Sequence, residues 1–185
     1  MKSGVMIFFV SLTLLVFCAI GLAAEKVYHI GPGDVIEISV WKDPELSRNL
    51  VVPPDGIISF PLIGSINLSH LTVGELRKIV AQKLSEFIPD ATVTVMLIEI
   101  NSLKAYVIGK VNNPGEFTIN LETNVMQVLS MAGGLNPFAS KGSVNIIRQQ
   151  GNRIMKIPFD YGRVEKGKNL EQNIILKAGD VVVVP

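Results

Sequence analysis

The sequence predicts an α+β chain of two small domains, each built from short strands and one helix. Three observations point there. Short runs rich in Val and Ile are cut by turns of Gly, Pro, Asp and Asn. Two segments change to helical spacing, each opened by a capping pair three residues apart. One local element occurs near both ends: Pro32-Gly33-Asp34-Val35 and Ala178-Gly179-Asp180-Val181 each lead into an apolar strand.

The first domain is expected over residues 25–101. Gly31-Pro32-Gly33-Asp34 is a turn, since Pro presets φ and Gly takes positive φ. Val35 to Trp41 follows as a strand. Pro53-Pro54-Asp55-Gly56 is a second turn, leading into a short strand from Ile57 to Leu62 and then Gly64. Thr72 and Glu75 form the capping box of the first helix, which runs to about Phe87, ahead of Pro89. Leu76, Ile79, Val80, Leu84 and Phe87 share one of its faces. Covering that stripe contributes about 1.5–3 kcal/mol per large side chain, so the helix needs a sheet face. Ala91 to Ile100 supplies a strand, with Val93, Val95 and Leu97 alternating against Thr92, Thr94 and Met96.

Asn101-Ser102 is the expected boundary, and residues 102–185 repeat the logic. Ala105–Val111 reads as a strand, Asn112-Asn113-Pro114-Gly115 as a turn, and Glu116–Ile119 as the returning strand. Asn124 caps a helix to Ala132, with Gln127 three residues on and Gly133-Gly134 as its stop. Val144–Arg148 and Arg153–Ile157 form a hairpin, a polar loop spans Lys166 to Asn173, and Val181–Val184 closes the chain. Strand pair, helix, then further strands is a β-grasp-like order. The two Gly-Asp turns, Gly33-Asp34 and Gly179-Asp180, are read as structural: Gly permits the turn and Asp bonds the backbone just beyond it.

The amino terminus is read as a secretory signal peptide, residues 1–23, removed after Ala23. Met1-Lys2 gives a basic start, Val5–Ile20 an apolar stretch, and Gly21 and Ala23 a small-residue exit. The apolar stretch is about 16 residues, short of the roughly 20 that span hydrocarbon. Cys18, the single cysteine, follows Phe17 where a lipidation signal places a small residue. The mature chain then has no cysteine, which excludes disulfides and thiolate chemistry. The whole sequence carries 17 basic and 16 acidic residues. Losing Lys2 with the leader balances them, which excludes a basic nucleic-acid footprint.

Chemistry-bearing patterns are sparse. His29 and His70 stand in unrelated contexts, so no metal site is expected. There is no G-x-S-x-G elbow and no phosphate loop, and no cofactor is expected. Asp34, Glu37, Asp43, Glu45 and Asp55 are the carboxylates a glycosidase would need, yet nothing sets two of them apart as acid and base. Asp43 and Glu45 are expected to flank Pro44 in a loop. Trp41, the single Trp, is a candidate glycan or interface contact, with a core or interface anchor as the plainer reading. Lys166, Lys168 and Asn169 form a polar loop read as solvated, with contact to an anionic glycan as the sharper alternative.

Two segments carry a family resemblance. They are Y-x-I-G-P-G-D-V-I-E-I-S-V-W, from Tyr28 to Trp41, and V-P-P-D-G-I-I-S-F-P-L-I-G, from Val52 to Gly64. With the T-x-x-E-L of Thr72–Leu76, they resemble the polysaccharide biosynthesis/export domain of outer-membrane polysaccharide export proteins. The second half resembles the SLBB domain, a β-grasp module, through V-x-G-x-V-x-x-P-G at Val107–Gly115, A-G-G-L at Ala132–Leu135 and the final G-D-V-V-V-V. Gly33, Asp34, Asp55, Gly56, Gly115, Gly179 and Asp180 are the turn residues of these motifs.

The resemblance implies a non-enzymatic periplasmic part of a polysaccharide-export conduit, associated with the outer membrane. It also implies a ring of identical copies and an inner-membrane polysaccharide copolymerase as partner. The sequence stops at Pro185 after a strand, without the carboxy-terminal amphipathic helix of larger members. It thus resembles short members that use a separate outer-membrane β-barrel. The competing expectations are a periplasmic solute- or glycan-binding module and a carbohydrate-active enzyme.

Overall fold

A computed structural model describes residues 27–185. The segment read as a signal peptide, with Cys18 and Ala23, lies outside the described residues. The chain is α+β, and its apolar side chains gather in two separate clusters.

The first cluster is built on a three-stranded antiparallel sheet. Strand β1 (Val35–Val40) is its middle strand, flanked by β2 (Asp43–Val51) and β5 (Val93–Glu99). Alternation sends Ile36, Ile38 and Val40 of β1 inward, together with Val93 and Val95 of β5. A separate hairpin, β3 (Ile57–Phe60) with β4 (Gly64–Asn67), adds Ile58, Phe60 and Ile66. Helix α1 (Val73–Leu84) packs on β5 through Leu76, Val80 and Leu84. Its capping box is formed: the Thr72 hydroxyl accepts from the Glu75 amide at 3.2 Å, and the Glu75 carboxylate accepts from the Thr72 amide at 2.8 Å.

Three expectations for this half need correction. Phe87 does not continue the apolar stripe, because the helix ends at Leu84 and the following turn leaves Phe87 exposed while Ile88 packs inward. Asp43, Pro44 and Glu45 lie in β2 rather than in a loop. Pro44 is tolerated there because β2 is an edge strand, where one missing donor is harmless. Gly64 opens β4, which pairs back on β3 and which periodicity in so short a segment does not reveal.

The second cluster sits in a five-stranded sheet of order β7-β6-β10-β8-β9. The strands are β6 (Lys104–Gly109), β7 (Gly115–Thr118), β8 (Val144–Gln150), β9 (Arg153–Phe159) and β10 (Val181–Val184). β10 runs parallel to β6 and antiparallel to β8, the β-grasp arrangement. Helix α2 (Val125–Met131) covers one face, with Val125, Val128, Leu129 and the following Ala132 all buried. Its Asn124–Gln127 capping box is formed as expected from the spacing. The loop after β9 holds one turn of helix, α3 (Tyr161–Val164), that the sequence pattern did not announce.

Candidate functional site

The β1–β2 hairpin turns through Trp41 and Lys42. Lys42 holds a left-handed φ of 64°, unusual for a residue with a side chain. The Trp41 amide donates to the Thr92 carbonyl at 2.9 Å, tying the tip to the segment entering β5. Trp41 is 72% exposed, so its reading as a core anchor does not hold. It stands at the rim of a hollow of about 280 Å³. Ser39, Ser47, Thr92 and Thr94 line that hollow with Val40, Lys42, Asp43 and Pro44, and the Ser47 hydroxyl is taken up by the Val40 amide at 3.0 Å and the Asp43 carbonyl at 3.2 Å. An exposed indole face next to hydroxyls offers stacking for a sugar ring and hydrogen bonds for its hydroxyl groups. Ser39, Ser47, Thr92 and Thr94 were not singled out from sequence. They converge only because β1 pairs with both β2 and β5.

Asp34 is fully buried at the start of β1. Its Oδ1 accepts from the backbone amides of Asn101 and Ser102, both at 2.9 Å. Its Oδ2 accepts from the Gly31 amide at 2.8 Å, the Ser102 hydroxyl at 3.3 Å and the Tyr28 hydroxyl. Among the described residues no cation forms an ion pair with it. The carboxylate is held by neutral donors, several of them on the segment joining the two clusters. Tyr28 answers this environment. Its phenol is pushed up to about 12, first by burial and then by the hydrogen bond and negative charge of Asp34, with Ser102 acting the other way.

Asp180, 1% exposed, occupies the matching turn before β10. It accepts from the Lys177 amide at 2.8 Å. Its other partner is a cation: the Arg148 guanidinium grips it at 2.9 Å from Nε and 2.6 Å from a terminal nitrogen. The hydrogen bonds to Asp180 raise the Arg148 pKa. Both aspartates thus bond the amide three residues before them, not one just beyond, and each reaches a long-range partner. Gly33 and Gly179 take φ of 90° and 82° in these turns.

The remaining predicted residues are local. Asp55 accepts from the Ile57 amide at 3.0 Å, and Gly56 has a φ of 70°. Gly115 is the first residue of β7 rather than part of the turn, and it pairs with Val107. The glycine under real constraint in that motif is Gly109, with φ of 96°, where a Cβ would collide with the Val184 carbonyl. Asp34 and Asp55 are occupied by turn bonds, and Glu37 lies half-buried on β1.

Comparison with known proteins supplies a family context. Residues 22–98 match the family model described as polysaccharide biosynthesis/export protein, and residues 104–158 match the SLBB domain. The chain is 28% identical to the EPS I polysaccharide export outer membrane protein EpsA of Ralstonia nicotianae, over 87% of this chain and 48% of that protein. It is 29% identical to the polysialic acid transport protein KpsD of Escherichia coli, over 85% of this chain and 28% of that protein. It is 24% identical to the capsule polysaccharide export outer membrane protein CtrA of Neisseria meningitidis, over 88% of this chain and 45% of that protein. The chain therefore spans about half or less of the length of these curated relatives.

Proposed function

We propose that this chain, which belongs to the outer-membrane polysaccharide export family, is a periplasmic element of a conduit that passes polysaccharide toward and across the outer membrane. In this reading residues 25–101 are the export domain, residues 102–185 the SLBB domain, and the leader is removed after Ala23. The observation that carries it is Trp41, presented bare beside a hollow that Ser39, Thr92 and Thr94 help to line, within the residues that match the export family. A conduit needs weak, repeated sugar contacts rather than bond cleavage. Asp34 and Asp180 are each saturated by structural donors, which favours a role without catalysis.

Assembly into a ring of identical copies is part of the proposal. Leu62 and Phe87 share an exposed hollow, and Tyr106 and Ile108, two apart on β6, leave apolar surface on the second sheet. Isolated exposed apolar groups are ordinary, but clusters of them are typical of assembly surfaces. An inner-membrane polysaccharide copolymerase and a separate outer-membrane β-barrel complete the proposed machine. Among the described residues no helix is long and apolar enough to cross a membrane.

The test is deletion of the gene with plasmid complementation, reading polysaccharide at the cell surface and in the periplasm. The expected result is loss of surface polymer, restored by the wild-type chain and poorly by Trp41→Ala. Unchanged surface polymer, with no second such gene to substitute, would sink the proposal. A solute-binding module then becomes the reading to pursue. Two adjoining hollows of about 390 and 380 Å³ favour it, since Leu103 and Leu121 give them a shared apolar wall between Tyr28 and Ile175.

A further inference from the structure

The loop after β9 gathers like charges in one place. Asp160 caps α3, and the turn after it closes with two backbone bonds, from the Gly167 amide to the Val164 carbonyl at 2.9 Å and from the Lys168 amide to the Arg163 carbonyl at 2.9 Å. Gly167 sits at a φ of 72° and Asn169 at 53°, so the chain reverses sharply rather than running on into solvent. The reversal brings Arg163, Lys166 and Lys168 around one hollow of about 490 Å³, completed by Asp160, Gly162 and Asn169. Ligand sites occupy roughly 300–1,000 Å³.

The charge of this hollow is out of proportion to the molecule. The whole chain carries 17 bases and 16 acids, whereas the hollow is lined by three bases and one acid. That acid is already engaged: Asp160 accepts from the Arg163 amide at 3.0 Å and pairs with the Arg163 guanidinium at 3.3 Å. Glu165, next along the turn, pairs instead with Lys141 at 3.3 Å. Lys166 and Lys168 are left without a carboxylate among the recorded ion pairs of the described residues. Like charges held together repel one another unless an anion is shared between them.

We propose that the hollow of Arg163, Lys166 and Lys168 binds the carboxylate groups of an acidic polysaccharide. This rests on the reading that the chain handles polysaccharide, and it narrows the polymer to one bearing uronate-type or similar acids. The two ammonium groups supply the point charges that tolerate a sliding polymer, and the Arg163 guanidinium, paired with Asp160 through Nε at 3.3 Å, adds its remaining N–H donors. The lining contains no apolar side chain, whereas a site for a lipid surface would carry groups to insert among the acyl chains. The segment also lies beyond the residues matched to either family model.

The experiment is calorimetric titration of the full mature chain with oligogalacturonate, with a neutral dextran oligomer of equal length, with inorganic phosphate and with phosphatidylglycerol vesicles. The expected result is binding of oligogalacturonate that weakens with salt, and none of dextran. The triple variant Arg163→Gln, Lys166→Gln, Lys168→Gln should bind about tenfold or more weakly with an unchanged thermal transition. The single charge reversal Lys168→Glu should weaken it in the same direction. Equal binding of dextran, full binding by the triple variant, or no binding at all would each overturn the inference. Binding of phosphate or vesicles without oligogalacturonate would overturn it in favour of a headgroup site. Failure here is separable from failure of the export reading. Uronate binding lost in the triple variant would keep the site even if gene deletion left surface polymer unchanged.

Discussion

The turns before β1 and β10 are the same local structure solved with two different partners. Gly31-Pro32-Gly33-Asp34 and Lys177-Ala178-Gly179-Asp180 both place a left-handed Gly before an Asp that accepts from the amide three residues back. In both, the Asp amide returns a bond to the carbonyl of that residue, at 3.2 Å in the first and 3.1 Å in the second. Beyond the turn they diverge. Asp180 is neutralised by one largely covered cation, Arg148, 32 residues away. Asp34 is held by neutral donors, most of them on Asn101 and Ser102 between the two cores. An ion pair concentrates the stabilisation of a buried carboxylate in one partner, while a cage of amides spreads it over a segment. The first turn therefore also fastens the connection between the cores, and the second only completes a sheet.

Removing the carboxylates should expose that difference. Asp180→Ala leaves the largely covered Arg148 without its counter-ion and the Lys177 amide without its acceptor, and should cost about 3 kcal/mol in urea unfolding. Pairing an apolar residue at 148 with an apolar residue at 180 should recover most of that loss, because an ion pair can be exchanged for packing. Failure of the double substitution to recover would break the two-partner account of Asp180.

Asp34→Asn should cost about 1–3 kcal/mol, since its amide nitrogen faces donors where Oδ2 accepted them. No single second substitution should rescue it. Hydrogen exchange at the Asn101 and Ser102 amides should rise in this variant and stay unchanged in Asp180→Ala. Equal protection in both would mean that Asp34 does not fasten the connecting segment.

The glycines test the shared part. Gly33→Ala and Gly179→Ala should each cost about 1–2 kcal/mol, the strain of a left-handed residue with a side chain. Their surroundings leave room: the nearest atom to a Cβ at Gly33 is Asn101 Cβ at 3.6 Å, and none stands within 4 Å at Gly179. Clearly unequal costs would show that the turns are not equivalent.

Tyr28→Phe, which removes a hydroxyl shared between Asp34 and Ser102 at a half-buried site, should have the smallest effect at neutral pH, about 1 kcal/mol. It should also alter the alkaline limb. The Tyr28 phenol has its folded pKa raised to about 12, above the ordinary value of 10.0. Its contribution is therefore complete below pH 10 and is lost as pH rises through about 12. Thermal melts from pH 9 to 12 should fall more gently for Tyr28→Phe than for the parent chain.

The elements that were legible in the sequence are those whose bonds close within a few residues. Both capping boxes join residues three apart, Thr72 with Glu75 and Asn124 with Gln127, so residue type at that spacing is the whole signal. The β-branched runs of β1, β5, β6, β8 and β10 declare themselves by composition and alternation, because one face of each meets the core. β2 was illegible, since an edge strand of polar residues opening with Asp43-Pro44 lacks both signals.

Of the candidate site, the sequence determined that Trp41 is the single indole and that Asp34 and Asp180 stand in turns. Tertiary structure alone decided that the indole is bare, and that Ser39, Ser47, Thr92 and Thr94 gather beside it. It alone decided that Arg148 answers Asp180 while Asn101 and Ser102 answer Asp34, and that Arg163 joins Lys166 and Lys168 around one hollow. The reason is range. A cap or turn is a contest among neighbours in the chain, whereas a buried charge is satisfied by whatever donor the strand register and the packed cores deliver to it.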